Sequence, residues 1–257
     1  MTEELAPAPN RLDPRRYHEA AADAHEPIAR RPPVCLYLET TNRCNLLCTT
    51  CPRTYEELEP PADMSWELFT RIVDQVPDIA RVVLHGVGEP MMVRDLPRMV
   101  RYLKDRGAFV LFNTNGTLLT VRRGRELCES GLDELRVSLD AADPKSYVAV
   151  RGRDFFDRIL RNVRAFTEMQ AKEAMEKPRV SMWITGLRET VRELPAFVRV
   201  AHDAGVKEVY LQRLVFFGTD AIGLARPDQA LFEQMTREES GYLEAAERLA
   251  ASFGMTF

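Results

Sequence analysis

No run of about 18 apolar residues, the length a membrane-spanning helix needs, occurs in this 257-residue chain. Neither sign of charge dominates: 35 lysines and arginines against 39 aspartates and glutamates leave a formal net charge of −4. The basic residues alternate with acids, as in "VRDLPRMVRYLKDRG", which reads as solvated helix surface. A nucleic-acid footprint is therefore not expected. The opening "MTEELAPAPN" is acidic and proline-rich, unlike a secretory signal or an arginine-rich transit peptide, so a cytoplasmic protein with no membrane partner is expected. No internal repeat or low-complexity tract appears. Cysteine is scarce and odd in number, five in all, which does not suit a secreted disulfide framework.

What cysteine there is lies crowded. "CNLLCTTC" places Cys44, Cys48 and Cys51 within eight residues, a cluster that argues for metal or catalysis in a reducing compartment. A zinc site or an ordinary iron–sulfur cluster takes four protein ligands, and no fourth cysteine follows nearby. His85 or Cys35 would complete a zinc site; otherwise one corner is left for something else.

Residues 1–33 hold six of the sixteen prolines and much alanine, and read as a leader with a short helix around "PRRYHEAAADAHE". A strand-then-helix rhythm follows. Short apolar runs at 34–40, 81–86, 108–114, 134–140, 179–185 and 208–217 read as strands covered on both faces. Amphipathic segments lie between them, one opening on Ser65 and others stopping at Gly107, Gly131 and Gly205. Regular βα alternation implies parallel strands with right-handed crossovers. Six strands are too few for a closed barrel of eight, so an open, partial (β/α)6 TIM-like barrel is expected over 34–225. A C-terminal helix should follow over 226–257, with "MTF" beginning another strand or leading into an extension.

Ligands in parallel α/β folds sit beyond the carboxyl ends of the strands. Strand one leads into "TTNRCNLLCTTCPR", strand two into "GVGEP" (86–90), strand three into "NTNG" (113–116), strand four into "SLD" (138–140) and strand five into "ITGLRE" (184–189). Five consecutive strand tips thus carry small, polar or glycine-bearing segments on one rim. Taken singly, such segments are turn formers and helix caps; together they point to a ligand.

The cysteine spacing, "GVGEP", the later "TNG" and "SLD" tips and the pattern Ile184-x-Gly186-x-x-Glu189 resemble the radical S-adenosylmethionine (SAM) superfamily. The similarity runs over roughly 34–217, and "TTNRCNLLCTTCPR" with "MSWELF" is closest in character to the branch associated with SPASM or twitch extensions. The resemblance implies a [4Fe–4S] cluster on Cys44, Cys48 and Cys51, with SAM chelating the fourth iron. It also implies reductive cleavage to a 5′-deoxyadenosyl radical that takes hydrogen from a peptide or small metabolite. The outcome would be oxidation, epimerisation or cross-linking, and the electron would come from a donor such as flavodoxin or ferredoxin.

By the same resemblance, Gly86 and Gly88 let backbone approach the ammonium end of SAM, Glu89 offers it a carboxylate, and Pro90 stiffens the turn. Thr114, Asn115, Ser138 and Asp140 would hold the ribose hydroxyls and the methionyl carboxylate. Ile184 and Gly186 would wall the adenine, and Arg151 would pair with the SAM carboxylate. The sequence departs from the family pattern at Thr50, where an aromatic residue or methionine is common, and at Met182, where a glycine is. No second cysteine group follows Cys128, so auxiliary clusters are not expected of this sequence. A non-catalytic iron–sulfur or zinc protein acting as a binding module is the rival reading. Elsewhere, His85 reads as a satisfied interior residue, Glu39 as a barrel-interior partner for an arginine, and Met182 and Trp183 as core.

Overall fold

The computed structural model describes residues 32–56, 59–214, 227–231 and 235–257. Six strands form one sheet: β1 (Cys35–Tyr37), β2 (Arg81–Val83), β3 (Phe109–Thr114), β4 (Glu134–Ser138), β5 (Arg179–Thr185) and β6 (Val209–Gln212). Their spatial order equals their chain order and every neighbouring pair is parallel. The expected helix around "PRRYHEAAADAHE" and the end of the sixth strand run, 215–217, lie outside the described residues.

Seven α-helices are present among the described residues: α1 (Trp66–Val73), α2 (Leu96–Asp105), α3 (Val121–Ser130), α4 (Pro144–Arg151), α5 (Phe156–Lys172), α6 (Leu194–Asp203) and α7 (Arg237–Ser252). Ser65 caps α1 as expected, its hydroxyl accepting from the Leu68 N–H at 3.1 Å. Helix α4 is the one element the strand-and-helix rhythm did not suggest. Asp143 caps it, accepting from Lys145 and Ser146 N–H at 2.8 and 3.1 Å, and Pro144 takes its first position. Asp-Pro is a helix-start signal in its own right.

The strands divide their side chains sharply. Val82, Leu84, Val110, Phe112, Leu135, Val137, Met182, Ile184 and Val209 join the helices in one continuous core. The alternate positions face the concave side; Val83 and Leu111 are buried there, but at β4 and β5 the apolar covering expected on both faces gives way to charge. Arg136 and Arg179 pair there with Glu134 at 2.7 and 3.2 Å, and Arg179 also reaches Glu208 at 2.9 Å. Trp183 likewise stands apart from the helix-side core. It stacks on Tyr210 with ring centroids 4.1 Å apart, and the Arg136 guanidinium lies 4.4 Å over its ring. The segment "MTF" does pair with the sheet, Thr256 exchanging backbone hydrogen bonds with Lys207 and Val209, both at 2.9 Å.

The helix layer is tightest where α3 crosses α5. A Cβ on Gly124 would lie 2.3 Å from the ring of fully buried Phe166. Alanine at position 124 would improve helix propensity by about 1 kcal/mol, but overpacking against a ring with nowhere to move costs about 1–3 kcal/mol. Gly124→Ala is therefore expected to destabilise the protein by about 1 kcal/mol net, read as a lower denaturant midpoint at unchanged slope.

Candidate active site

Because all six strands are parallel, their C-terminal tips share one rim, and the cysteine loop folds back across it. Three backbone hydrogen bonds dock the loop. Glu89 donates its N–H to the Arg43 carbonyl at 2.7 Å, Leu47 N–H reaches the Arg151 carbonyl at 3.4 Å, and Thr49 N–H reaches the Val150 carbonyl at 2.9 Å. The approach to β2 is possible only over glycine: a Cβ on Gly88 would sit 2.0 Å from the Thr41 carbonyl oxygen. Gly152 plays the same part at α4, where its φ of +70° suits glycine and a Cβ would meet the Leu47 carbonyl oxygen at 2.3 Å. Gly86 is packed over by the Glu39 side chain, whose carboxylate accepts from Val87 N–H at 2.6 Å. Glu39 thus braces the β2 tip; the arginine partner expected for it is found instead at Glu134.

The three loop cysteines are free and half-buried. Burial pushes the Cys44 and Cys51 thiols up, while backbone N–H groups of Leu46 and Arg53 favour their thiolates. Beside them opens a cavity of about 530 Å³ lined by Cys44, Cys48, Cys51, Thr50, Arg53 and the strand tips. From β2 come His85, Gly86, Gly88 and Glu89; from β3, Asn113, Thr114 and Asn115; from β4, Ser138 and Asp140; from α4, Arg151; and from β5 and β6, Thr185 and Gln212. Most of the residues singled out in the sequence therefore converge on one volume.

Three do not. Ile184 is buried among the helix-side core, and Gly186 is engaged in backbone bonds to Gln212 and Leu231. Alternation along β5 turns Thr185, between them, to the cavity. Pro90, itself buried, opens a turn of 3₁₀ helix, Pro90–Met92, behind the rim.

Several rim residues are committed to one another. Glu89, 2% exposed, accepts from Thr114 Oγ1 at 2.7 Å, Asn115 N–H at 2.6 Å and Met91 N–H at 3.0 Å. Burial pushes its carboxyl up, and those donors pull against the rise. Asn115, Asn45 and Thr117 close a ring of side-chain hydrogen bonds at 2.7, 2.8 and 2.7 Å, next to Cys44. Asp140, in the left-handed region at φ 65°, accepts from Thr185 N–H at 2.7 Å and pairs with Arg151 Nη2 at 2.5 Å. The carboxylate beside Arg151 is thus Asp140, not an open place for a ligand. Its Nη1 points to Cys48 Sγ at 3.5 Å. Burial works against the Arg151 cation, but Asp140 and Cys48 more than offset it. At His85, burial and the Arg136 charge push the imidazole below its usual range, leaving it neutral near pH 7.

The donor set suits an iron–sulfur cluster with a bound cofactor. Five side-chain atoms among the described residues are buried without a partner: Thr40 Oγ1, Arg53 Nε, Asn113 Oδ1, Tyr147 OH and Arg151 Nε. Three of these residues line the cavity, and Tyr147 lies one helical turn before Arg151. Buried orphans are rare in native proteins, and their concentration here marks a place prepared for polar company. The rival zinc site needs its ligands gathered on one ion. Among the described residues no three His, Cys, Asp or Glu side chains are gathered closely enough to hold one metal ion.

A model of the radical SAM superfamily matches residues 38–201. A tungsten-containing aldehyde ferredoxin oxidoreductase cofactor-modifying protein of Pyrococcus furiosus is 30% identical over 183 residues, covering 70% of this chain and 51% of that protein. A PqqA peptide cyclase of Streptomyces rochei is 33% identical over 136 residues, 52% of this chain and 37% of the cyclase. The chain spans about half the length, or less, of these curated relatives. In fold it is similar to Streptococcus suis SuiB bound to S-adenosylmethionine, with TM-score 0.66 and 16% identity over 91% of this chain and 51% of SuiB.

Sequence reasoning missed Asn45, Thr117 and Tyr147. "CNLLC" and "NGT" carry Asn45 and Thr117 in plain view, but nothing local shows that they meet across the rim. Glu89→Ala removes the acceptor shared by two backbone N–H groups and a hydroxyl. The expected loss is about 2–3 kcal/mol of stability together with weaker SAM binding, by thermal denaturation and equilibrium dialysis; unchanged values on both would remove Glu89 from the site.

Proposed function

Since the chain belongs to the radical SAM superfamily, we propose that it falls in the branch associated with SPASM or twitch extensions, cleaves SAM reductively and takes hydrogen from a peptide or small metabolite. Oxidation, epimerisation or cross-linking is the outcome proposed. Cys44, Cys48 and Cys51 would hold three irons of a [4Fe–4S] cluster, which supplies one low-potential electron to the sulfonium when SAM completes its fourth corner. The carrying observation is a half-buried cysteine trio at the edge of a cavity walled by the tips of five parallel strands.

The chain's own residues bind and orient. The backbone of Gly86–Gly88 presents carbonyls and amides to the ammonium end of SAM. Ser138, Thr185 and Gln212 offer polar atoms to ribose and substrate, while the Asn115 carboxamide, held by Asn45 and Thr117, places its Nδ2 4.0 Å from the Cys44 sulfur. Glu89, Thr114 and Asp140 hold the strand tips in register, so binding needs little rearrangement. His85, neutral in its half-buried place, can accept a proton from a substrate group. The names of the relatives, one a peptide cyclase and one a cofactor-modifying protein, support both substrate classes. A small acidic electron carrier, flavodoxin or ferredoxin, is the proposed reductant, and a reducing cytoplasm the proposed compartment. No helix among the described residues is long and apolar enough to cross a membrane.

Anaerobic reconstitution is expected to load about four irons per chain, and dithionite with SAM should then release 5′-deoxyadenosine and methionine. Cys48→Ala is expected to abolish both iron loading and SAM cleavage. A wild-type chain that stays iron-free, or binds one zinc and no SAM, would overturn the reading.

A further inference from the structure

Helix α4 is attached to the cysteine loop more closely than any other helix. The carbonyls of its last two residues, Val150 and Arg151, accept from Thr49 and Leu47 N–H. Thr49 Oγ1 adds a second bond to Val150 at 3.2 Å. Two polar side chains four residues apart, Tyr147 and Arg151, share one face of this helix. Arg151 Nη1 lies 3.5 Å from Cys48 Sγ. The Tyr147 ring is fully buried against Phe156, with centroids 5.8 Å apart, yet its hydroxyl has no partner. That hydroxyl belongs to the helical turn just before Arg151, the residue that reaches the Cys48 sulfur.

We infer that α4 sets the reduction potential of the cluster: Arg151 through its N–H on the Cys48 sulfur, and Tyr147 through a hydroxyl reserved for the same sulfur environment. The inference rests on the radical SAM reading of the site. Reduction adds one electron, supplied by the reductant, with no bond made or broken in the protein. The added negative charge is stabilised by donors and cations at the sulfurs, which raises the potential. Asp140 does not cancel this effect. Its carboxylate lies on Nη2 and is shared with Thr185 N–H, so the pair is a dipole whose positive end faces Cys48. Tight docking of the helix keeps that dipole aimed.

The test is an EPR-monitored redox titration of cluster-loaded wild type, Tyr147→Phe, Arg151→Gln and Arg151→Lys, with iron content measured alongside. Arg151→Gln is expected to lower the midpoint enough to shift the oxidised-to-reduced ratio about tenfold at fixed solution potential, about 59 mV for one electron. Tyr147→Phe should shift it the same way by less, and Arg151→Lys should recover part of the loss. Without cluster, Tyr147→Phe should be no less stable than wild type, since the hydroxyl has no partner to lose. Clear destabilisation would overturn the part given to Tyr147. If Arg151→Gln fails to fold, Tyr147→Phe and Arg151→Lys decide. Iron-loaded variants with unmoved midpoints would overturn this inference alone, whereas iron-free wild type would overturn the reading beneath it.

Discussion

Close approach between the cysteine loop and the tip of β2 is the contact on which the site depends. Gly88 supplies the room, because any side chain there would collide with the Thr41 carbonyl. Glu89 supplies the bond, its N–H donated to Arg43 just before the first cysteine. The same residue turns its carboxylate the other way, to Thr114 and Asn115 at the tip of β3. Two neighbouring strand ends and the loop are thereby fixed to one buried residue. An unfilled carboxylate at this depth would be costly; with three donors on it, burial becomes a source of rigidity.

The opposite end of the sheet repeats the device. Asp133, 4% exposed, accepts from Val110 N–H at 2.9 Å and from Lys177 Nζ at 2.7 Å, with Lys104 on the same carboxylate. Burial there works against ionisation, but the lysines and the backbone donor hold the carboxyl below its usual range. Asp133 has two cations and Glu89 has only neutral donors, which is why the two buried carboxylates shift in opposite directions. The lower end is a conventional ion-paired clamp. At the upper end every hydrogen-bond donor to Glu89 is neutral and Arg123 acts on it only through its field, while Arg53 and Arg151 stand beside the sulfurs.

Much of this was legible in the sequence because parallel βα units obey a simple rule: ligand residues lie where strands end. Six strands, their order and the gathering of Cys44, Gly86, Asn115, Ser138 and Asp140 around one volume followed from it. Side-chain direction was harder to see. In "RVSMWIT" the polar residues Ser181 and Thr185 alternate with apolar ones, yet Trp183 on the same face disguises the period. The resemblance assigned Ile184 to the ligand wall, and the strand period turns Thr185 there instead. Long-range pairings were not legible at all. Arg151 is 103 positions from Cys48, and no local pattern announces that Asp140 rather than a cofactor takes its Nη2. The start of α4 was legible in "ADPKS", where Asp-Pro marks a helix cap.

The rim therefore separates into groups that hold and groups that face the cavity. Glu89, Thr114, Asn115, Thr117, Asp140 and Arg151 spend hydrogen bonds on each other, on the cysteine loop or on backbone at the strand tips. Ser138 and Gln212 project into the cavity from strands those bonds have aligned. Such an arrangement places the cost of ordering in folding rather than in ligand binding. Asp140 shows how far this goes: it occupies a left-handed conformation that a non-glycine residue adopts at a cost of about 1–3 kcal/mol, and in return one carboxylate fixes both the β5 tip and the guanidinium beside Cys48. The strain sits where loop, strand and helix meet, which is the position from which a single residue can align all three.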